Sequence, residues 1–270
     1  FPLKHSSGIF FYAELQRILL KWLKTADVDA VWANDLDTLL PAMLISRRRK
    51  LRIVYDSHEF FTEAAGLTGR PLRRLVWLTL EKYCIPKLNK MITVNDSIAK
   101  KYRERYGIQV DVLRNMPVLS PVPNVTPRKA FEEYNIPTDL PILLLQGAFM
   151  DRDRGTSDAV NALEIMTDVR LVLVGAGIEF DESRLRMDDP RWSGRLHCIP
   201  RLPYDKLRIL TASADVGLSL DKGLHANYLL SLPNKLFDFI HVGLPVVASS
   251  MIEVKRVVEE NGVGVVIENV

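Results

Sequence analysis

The feature that most restricts how this chain can fold is an alternation: short, continuously apolar runs, each followed by a stretch with helical spacing. Residues 9–23 open it, with Phe11, Leu15, Ile18, Leu19 and Trp22 on one helical stripe. Residues 30–32, 53–55 and 91–94 then read as strands, with helical stretches at 39–45 and 72–85. A second series places strands at 142–146, 171–174, 196–199, 216–220, 245–248 and 264–267. Its helices fall at 156–166, 182–187, 204–212, from about 233, and at 253–260. Apolar strands separated by helices predict parallel sheets covered on both faces, the doubly wound α/β class.

Between the two series, residues 117–124 carry Pro117, Pro121 and Pro123, and the domain boundary is placed there, giving domains 1–120 and 121–270. A length of 270 residues with 47% hydrophobic content suits two domains. The net charge of +3 is unevenly spread: residues 1–120 hold 20 Lys/Arg against 12 Asp/Glu, and residues 121–270 hold 16 against 21. The basic first half, with Arg47, Arg48, Arg49, Lys50, Arg70, Arg73, Arg74, Lys82, Lys87 and Lys90, suits an anionic partner such as a lipid headgroup surface. Nucleic acid is not expected, because no recognition-motif spacing accompanies the charge. The apolar runs fall far short of the roughly 20 residues that span a bilayer, and residues 1–5 lack the order of a secretory signal. Cys84 and Cys198 lie far apart in apolar stretches and read as free thiols of a reducing compartment.

The most specific segment is residues 231–249, SLPNKLFDFIHVGLPVVAS. Pro233 is expected at the first helical position, so the backbone N–H groups near Asn234, Lys235 and Leu236 face outward and suit a diphosphate. Asp238, four residues after Asn234, falls on the same face, where a carboxylate can accept from ribose hydroxyls. Gly243, Leu244 and Pro245 end the helix and start a buried strand. A second segment, residues 144–155, LLQGAFMDRDRG, reads as a strand, a basic loop and a helix start.

These segments resemble the GT-B glycosyltransferases of glycosyltransferase family 4. The resemblance implies two Rossmann-like doubly wound domains whose parallel sheets face each other across a cleft, the second binding a nucleotide-sugar. It gives Arg154 and Lys235, with Arg152, the donor phosphates, and gives Gly147, Pro233, Asn234 and Leu236 the adjoining donor loop and helix start. Asp238 matches the second acidic residue of the family's E-x7-E motif and so the ribose site; Leu230 stands where the first acidic residue is usual. Arg201 and Leu202, in PRLP, fall on the base side. His58, with Glu59, follows the run VYDS and matches the family's His-Glu, which implies that His58 points into the cleft toward the transferred sugar. Asn95 and Asn115 are further cleft candidates. The resemblance also implies that strands before Phe1 and closing helices after Val270 are missing from this chain.

Other patterns carry less. Residues 172–177 hold two of three glycines of a dinucleotide fingerprint, with Phe180 at the third position, and NAD is not expected. The Asp-x-Asp triplets at Asp35/Asp37 and Asp151/Asp153 lack further carboxylates, and no metal or other cofactor is expected. His5, His197, His225 and His241 show no ligand spacing. The reading is a glycosyltransferase that moves a sugar from a UDP- or GDP-sugar to a glycan or lipid-linked acceptor in polysaccharide or glycolipid biosynthesis. Retention of configuration is implied by the resemblance alone. The expected location is the cytoplasm, extending to peripheral attachment at the inner face of a membrane. A nucleotide-sugar epimerase of the same architecture and a non-catalytic nucleotide- or glycan-binding protein are the alternatives.

Overall fold

A computed structural model describes residues 3–192 and 194–268. The chain divides into two compact units, residues 1–115 with 225–230, and residues 116–224 with 231–270.

The first unit begins with α1 (Gly8–Thr25), followed by β1 (Ala30–Asn34), α2 (Leu36–Arg49), β2 (Arg52–Ser57), α3 (Pro71–Cys84), β3 (Lys90–Thr93), α4 (Asp96–Tyr106) and β4 (Gln109–Val112). Its four strands pair in sequence order, all parallel. Connections of this kind need crossovers, which α2, α3 and α4 supply. Each helix gives the sheet its apolar face: Leu36, Leu39 and Met43 from α2, Trp77 from α3, Ile98 and Tyr102 from α4. Two of these elements, α4 and β4, lie outside the sequence-predicted series. Asn95 starts α4 as its N-cap, its side-chain oxygen accepting the Ile98 N–H at 2.9 Å.

One buried charge braces this unit. Glu81 of α3 is fully buried and accepts from Arg105 Nη1 at 2.9 Å and Tyr106 Oη at 2.5 Å, which ties α3 to the last turn of α4. The pairing raises the Tyr106 hydroxyl's pKa, burial first and the Glu81 hydrogen bond second.

The second unit runs β5 (Ile142–Gly147), α5 (Thr156–Ala162), β6 (Arg170–Gly175), α6 (Ile178–Arg184), β7 (Leu196–Pro200), α7 (Tyr204–Ser213) and β8 (Val216–Ser219). The chain then adds α8 (Ala226–Leu229) to the first unit and returns with α9 (Asn234–His241), β9 (Val246–Ser249), α10 (Ile252–Asn261) and β10 (Gly264–Ile267). The six strands lie in the order β10-β9-β8-β5-β6-β7, all parallel. Every residue of β6 is buried. Because side chains alternate along a strand, the sheet separates two cores. Leu144, Val172 and Val174 face Leu236, Phe239 and Val254 of α9 and α10, while Leu145, Leu171 and Leu173 face Val160 and Phe180 of α5 and α6. The charged helix expected at 182–187 instead begins at Ile178, directly after Gly177, and buries Phe180 and Ser183.

Cys84 and Cys198 are free thiols, and burial pushes them up to about 11 and about 12. Among the described residues no helix is long and apolar enough to cross a membrane. Arg105→Ala should destabilise the first unit by about 3 kcal/mol, because it leaves the Glu81 carboxylate buried without its cation. Urea denaturation checks this, and a loss under about 0.5 kcal/mol, the level of an ordinary surface change, would contradict it.

Candidate functional site

The second sheet reverses its strand order between β5 and β8: the chain lays down β6 and β7 on one side of β5, then β8, β9 and β10 on the other. At such a switch point the connections leaving the two central strands diverge, and a crevice opens at their carboxyl ends. Arg154 lies in the connection after β5, and Asp221 lies two residues beyond β8.

These two residues meet there. Asp221, 1% exposed, accepts from Arg154 Nη1 at 2.8 Å through Oδ1 and pairs with Lys235 Nζ at 2.7 Å through Oδ2. Burial works to raise the Asp221 pKa, but Lys235 and then Arg154 outweigh it and hold the carboxyl below its ordinary value of 3.8. The backbone fixes this geometry from several sides. Ser249 Oγ, at the end of β9, donates to Asp221 O at 2.6 Å. The Lys222 N–H donates to Asp153 O at 2.8 Å, which clips the Arg154 loop to the end of β8. Gly155 has φ +73°, and a Cβ there would stand 2.3 Å from Leu220 O, so only glycine lets the loop press this close. A similar approach occurs one strand over, where a Cβ on Gly175 would stand 2.0 Å from the Gly147 carbonyl oxygen. Only glycine at position 175 therefore lets the ends of β5 and β6 come this close.

Pro233 is the N-cap of α9 and precedes the helix, a correction to its expected place as the first helical residue. Its carbonyl accepts the Leu236 N–H at 3.1 Å, which removes that amide from the outward-facing set. Asn234 is exposed, and Lys235 is drawn inward onto Asp221. Asp238 is half-buried and held by Tyr204 Oη at 2.8 Å and Gln146 Nε2 at 3.2 Å, with Thr211 Oγ1 donating to Gln146 Oε1 at 2.8 Å. Burial raises the pKa of Asp238, against the hydrogen bonds from Tyr204 and Gln146.

Arg152 stands apart from Arg154. Asp153 between them has φ +75°, and Arg152 is largely exposed with its guanidinium 3.9 Å from Glu182 of α6. Arg201 donates through Nε to Ala148 O at 2.7 Å and lies over the Phe149 ring. With Leu202 it borders a pocket of 280 Å³ along edge strand β7, whose lining includes Tyr134, Ile136, Met187 and His197.

In the first unit, His58 is half-exposed just after β2. Its N–H donates to Asp35 Oδ1 at 2.9 Å, and its Nε2 lies 3.3 Å from Asp56 Oδ2, to which Trp32 Nε1 also donates at 3.3 Å. Neighbouring carboxyls are displaced upward: Asp35 by burial, Asp37 to about 6 by burial and then by Asp35, and Glu59 by burial and then by Asp35. Glu59 also accepts from Asn227 Nδ2 at 2.9 Å. Asn95 is fully buried, capping α4 and donating to Leu230 O at 2.7 Å, so it lines no surface. Asn115 is exposed at the end of the unit. Leu230, the apolar residue at the first E-x7-E position, is 6% exposed in the first unit's core, where a carboxylate would lose its hydration. His241 ends α9, with Nε2 2.7 Å from Ser120 O. Among the described residues no group of three or more His, Cys, Asp or Glu side chains is placed to hold a metal ion.

Asp221 is the residue that sequence reasoning missed. It is separated by 67 positions from Arg154 and sits in the unremarkable run SLDKG, so only the strand order brings it to the cations. The one available signal was an acidic residue just past an apolar run, at a strand's carboxyl end.

Comparison with known proteins shows what the fold is similar to. Residues 1–116 match the family model described as Glycosyltransferase Family 4. No curated protein matches the chain in sequence. Among solved structures, the fold is similar to a sucrose-phosphate synthase from Thermosynechococcus elongatus, with TM-score 0.69 and 17% identity over 98% of this chain and 71% of that one. It is also similar to HepE of Anabaena in complex with UDP-glucose, with TM-score 0.69 and 15% identity over 96% and 68% of the two chains. A UDP-forming α,α-trehalose-phosphate synthase from Burkholderia vietnamiensis gives TM-score 0.65 and 12% identity over 97% and 69%. The chain thus has the GT-B fold of these structures, and its first 116 residues match the Glycosyltransferase Family 4 model.

Proposed function

We propose that the chain transfers a sugar from a nucleotide-sugar, a UDP- or GDP-sugar, to a hydroxyl of a glycan or lipid-linked acceptor, with retention of configuration. The observation that carries this reading is the convergence of Arg154 and Lys235 on Asp221 at the switch point of the second sheet. In the reaction the bond between the sugar's anomeric carbon and the donor phosphate breaks, and the nucleoside diphosphate leaves with the bonding pair. Negative charge grows on its terminal phosphate oxygens, and fixed cations nearby lower the barrier without having to reorganise. A guanidinium has five N–H donors and an ammonium three, more than one carboxylate can take, so Asp221 orients both groups and leaves them donors for phosphate. The start of α9 adds its backbone amides to the same anion. Support for a uridine nucleotide comes from the Anabaena neighbour, which is complexed with UDP-glucose.

The remaining assignments follow the chemistry of each group. Asp238 has about four lone-pair sites, of which Tyr204 and Gln146 use two, and the ribose hydroxyls are assigned to the others. The base is assigned to the apolar pocket beside Arg201 and Leu202. His58, oriented by Asp35 and Asp56, is assigned to the transferred sugar. Arg152, exposed and turned toward Glu182, is given no part in the phosphate site.

Asp221 makes the phosphate site sensitive to acid. Its folded-state pKa lies below 3.8, so its stabilisation is complete above the ordinary carboxylate range and is lost as pH falls through the lower folded value. Asp221→Asn should cost about 3 kcal/mol at pH 7, since it leaves two cations facing a neutral amide. The gap between variant and wild type should shrink below about pH 4 in acid titrations followed by circular dichroism; a gap constant to pH 2.5 would contradict the pairing.

Transfer and donor hydrolysis measured with UDP- and GDP-sugars test the function. Arg154→Ala should lower kcat by on the order of 100-fold or more. Asp238→Ala should raise the donor KM by about tenfold, the loss of one or two hydrogen bonds to a charged acceptor. Wild-type rates in both variants would remove the assignment.

A further inference from the structure

Surface helix α3 is built the wrong way round for a helix facing only water. Its inner face carries Trp77, Glu81 and Cys84, all buried. At helical spacing the centre of the opposite face falls on Leu72, Val76, Thr79 and Tyr83, with Leu75 beside them. Four of these are large apolar groups left exposed: Leu72 at 79%, Leu75 at 59%, Val76 at 56% and Tyr83 at 43%. Scattered exposed apolar residues are ordinary, but a contiguous stripe along the outer face of one helix marks a binding surface.

The margins of the stripe say what it binds. Arg73 lies along one edge and Lys82 along the other, with Arg70 at the helix's N-terminal end and Lys87 in the turn after its C-terminal end, all of them exposed. The Lys87 ammonium lies over the Tyr83 ring, 2.8 Å from its centroid, so cation and aromatic edge share one patch. The only acidic residue of α3 is Glu81, which is buried on the far face against Arg105 and Tyr106. Among the described residues, Arg73, Lys82 and Lys87 have no carboxylate within ion-pair distance. An apolar centre with a wholly cationic rim is the pattern of a helix lying in a membrane interface, where the apolar groups enter the acyl boundary and the cations meet anionic headgroups. A partner protein's acidic helix would meet the same cations, but an apolar centre with cations on both margins and at both ends fits a headgroup layer, which needs no fixed register. We propose that the outer face of α3 docks the chain on an anionic lipid bilayer. Tyr83 then sits at headgroup level, and Leu72, Leu75 and Val76 enter the acyl boundary.

Co-sedimentation of the full chain with vesicles tests the proposal without reference to catalysis. The probes are phosphatidylcholine alone and phosphatidylcholine with roughly 30% phosphatidylglycerol, which supplies an anionic surface. Wild-type protein should bind the anionic vesicles and release them as salt rises from about 0.05 to 0.5 M. The triple change Arg73→Glu, Lys82→Glu, Lys87→Glu should weaken binding by about 100-fold or more, at roughly fivefold per cation lost. Leu72→Ser with Val76→Ser should weaken it by about tenfold and leave its salt dependence in place. All these positions are exposed, so unchanged circular dichroism and thermal midpoint should accompany each loss. Equal binding to neutral and anionic vesicles, or variants that bind as wild type, would overturn the proposal. So would vesicle-indifferent protein that forms dimers on sedimentation and loses them with Leu72→Ser and Val76→Ser, which would assign the face to a second copy of the chain.

Discussion

A carboxylate buried to 1% exposure survives as an ion only because two cations reach it, and that requirement organises the second unit. Arg154 arrives from the connection after β5 and Lys235 from the first turn of α9, each taking one oxygen of Asp221. Neither arrives by its own side chain's choice. Gly155 permits a backbone approach that a Cβ would block, and the Lys222–Asp153 hydrogen bond holds the loop in place. The start of α9 is seated by Leu236 and Phe239, both fully buried against the sheet. Packing of the ordinary apolar kind thus delivers two long, flexible cations to one point, which is what a preorganised anion site requires.

The first unit uses the same parallel architecture with a different charge balance at its strand ends. There the groups after β1 and β2 are mainly carboxyls, Asp35, Asp37, Asp56 and Glu59, set around the single His58. Burial pushes the pKa values of Asp35, Asp37 and Glu59 upward, because it penalises the charged form. One sheet presents cations at its strand ends, and the other mainly carboxyls.

Much of the fold was legible because burial on both faces leaves a direct trace in sequence. β6, buried throughout, reads as Leu171, Val172, Leu173, Val174 with no interruption. Helix α4 left no comparable trace: DSIAKKYRERY is mostly charged, and only Ile98, Ala99 and Tyr102 reach the core. The cap rule applied to Asn95 would have found its start. Within the site, Arg154 and Lys235 stood in recognisable segments, whereas Asp221 depended on a strand order that no local pattern encodes. Arg152 was paired with Arg154 by proximity in sequence, and the left-handed turn at Asp153 sends it elsewhere. The apolar residue at position 230 has a plain cause, since Leu230 belongs to the core of the first unit.

The proposed function requires the cations held by Asp221 to receive a nucleotide's diphosphate. A crystal structure of the chain with UDP bound tests it most directly. The account predicts phosphate oxygens within about 3 Å of the Arg154 guanidinium and the Lys235 ammonium, the distance of a charge-assisted hydrogen bond, with Asp221 still pairing both. A diphosphate seated elsewhere, with Arg154 and Lys235 contacting only Asp221, would contradict it.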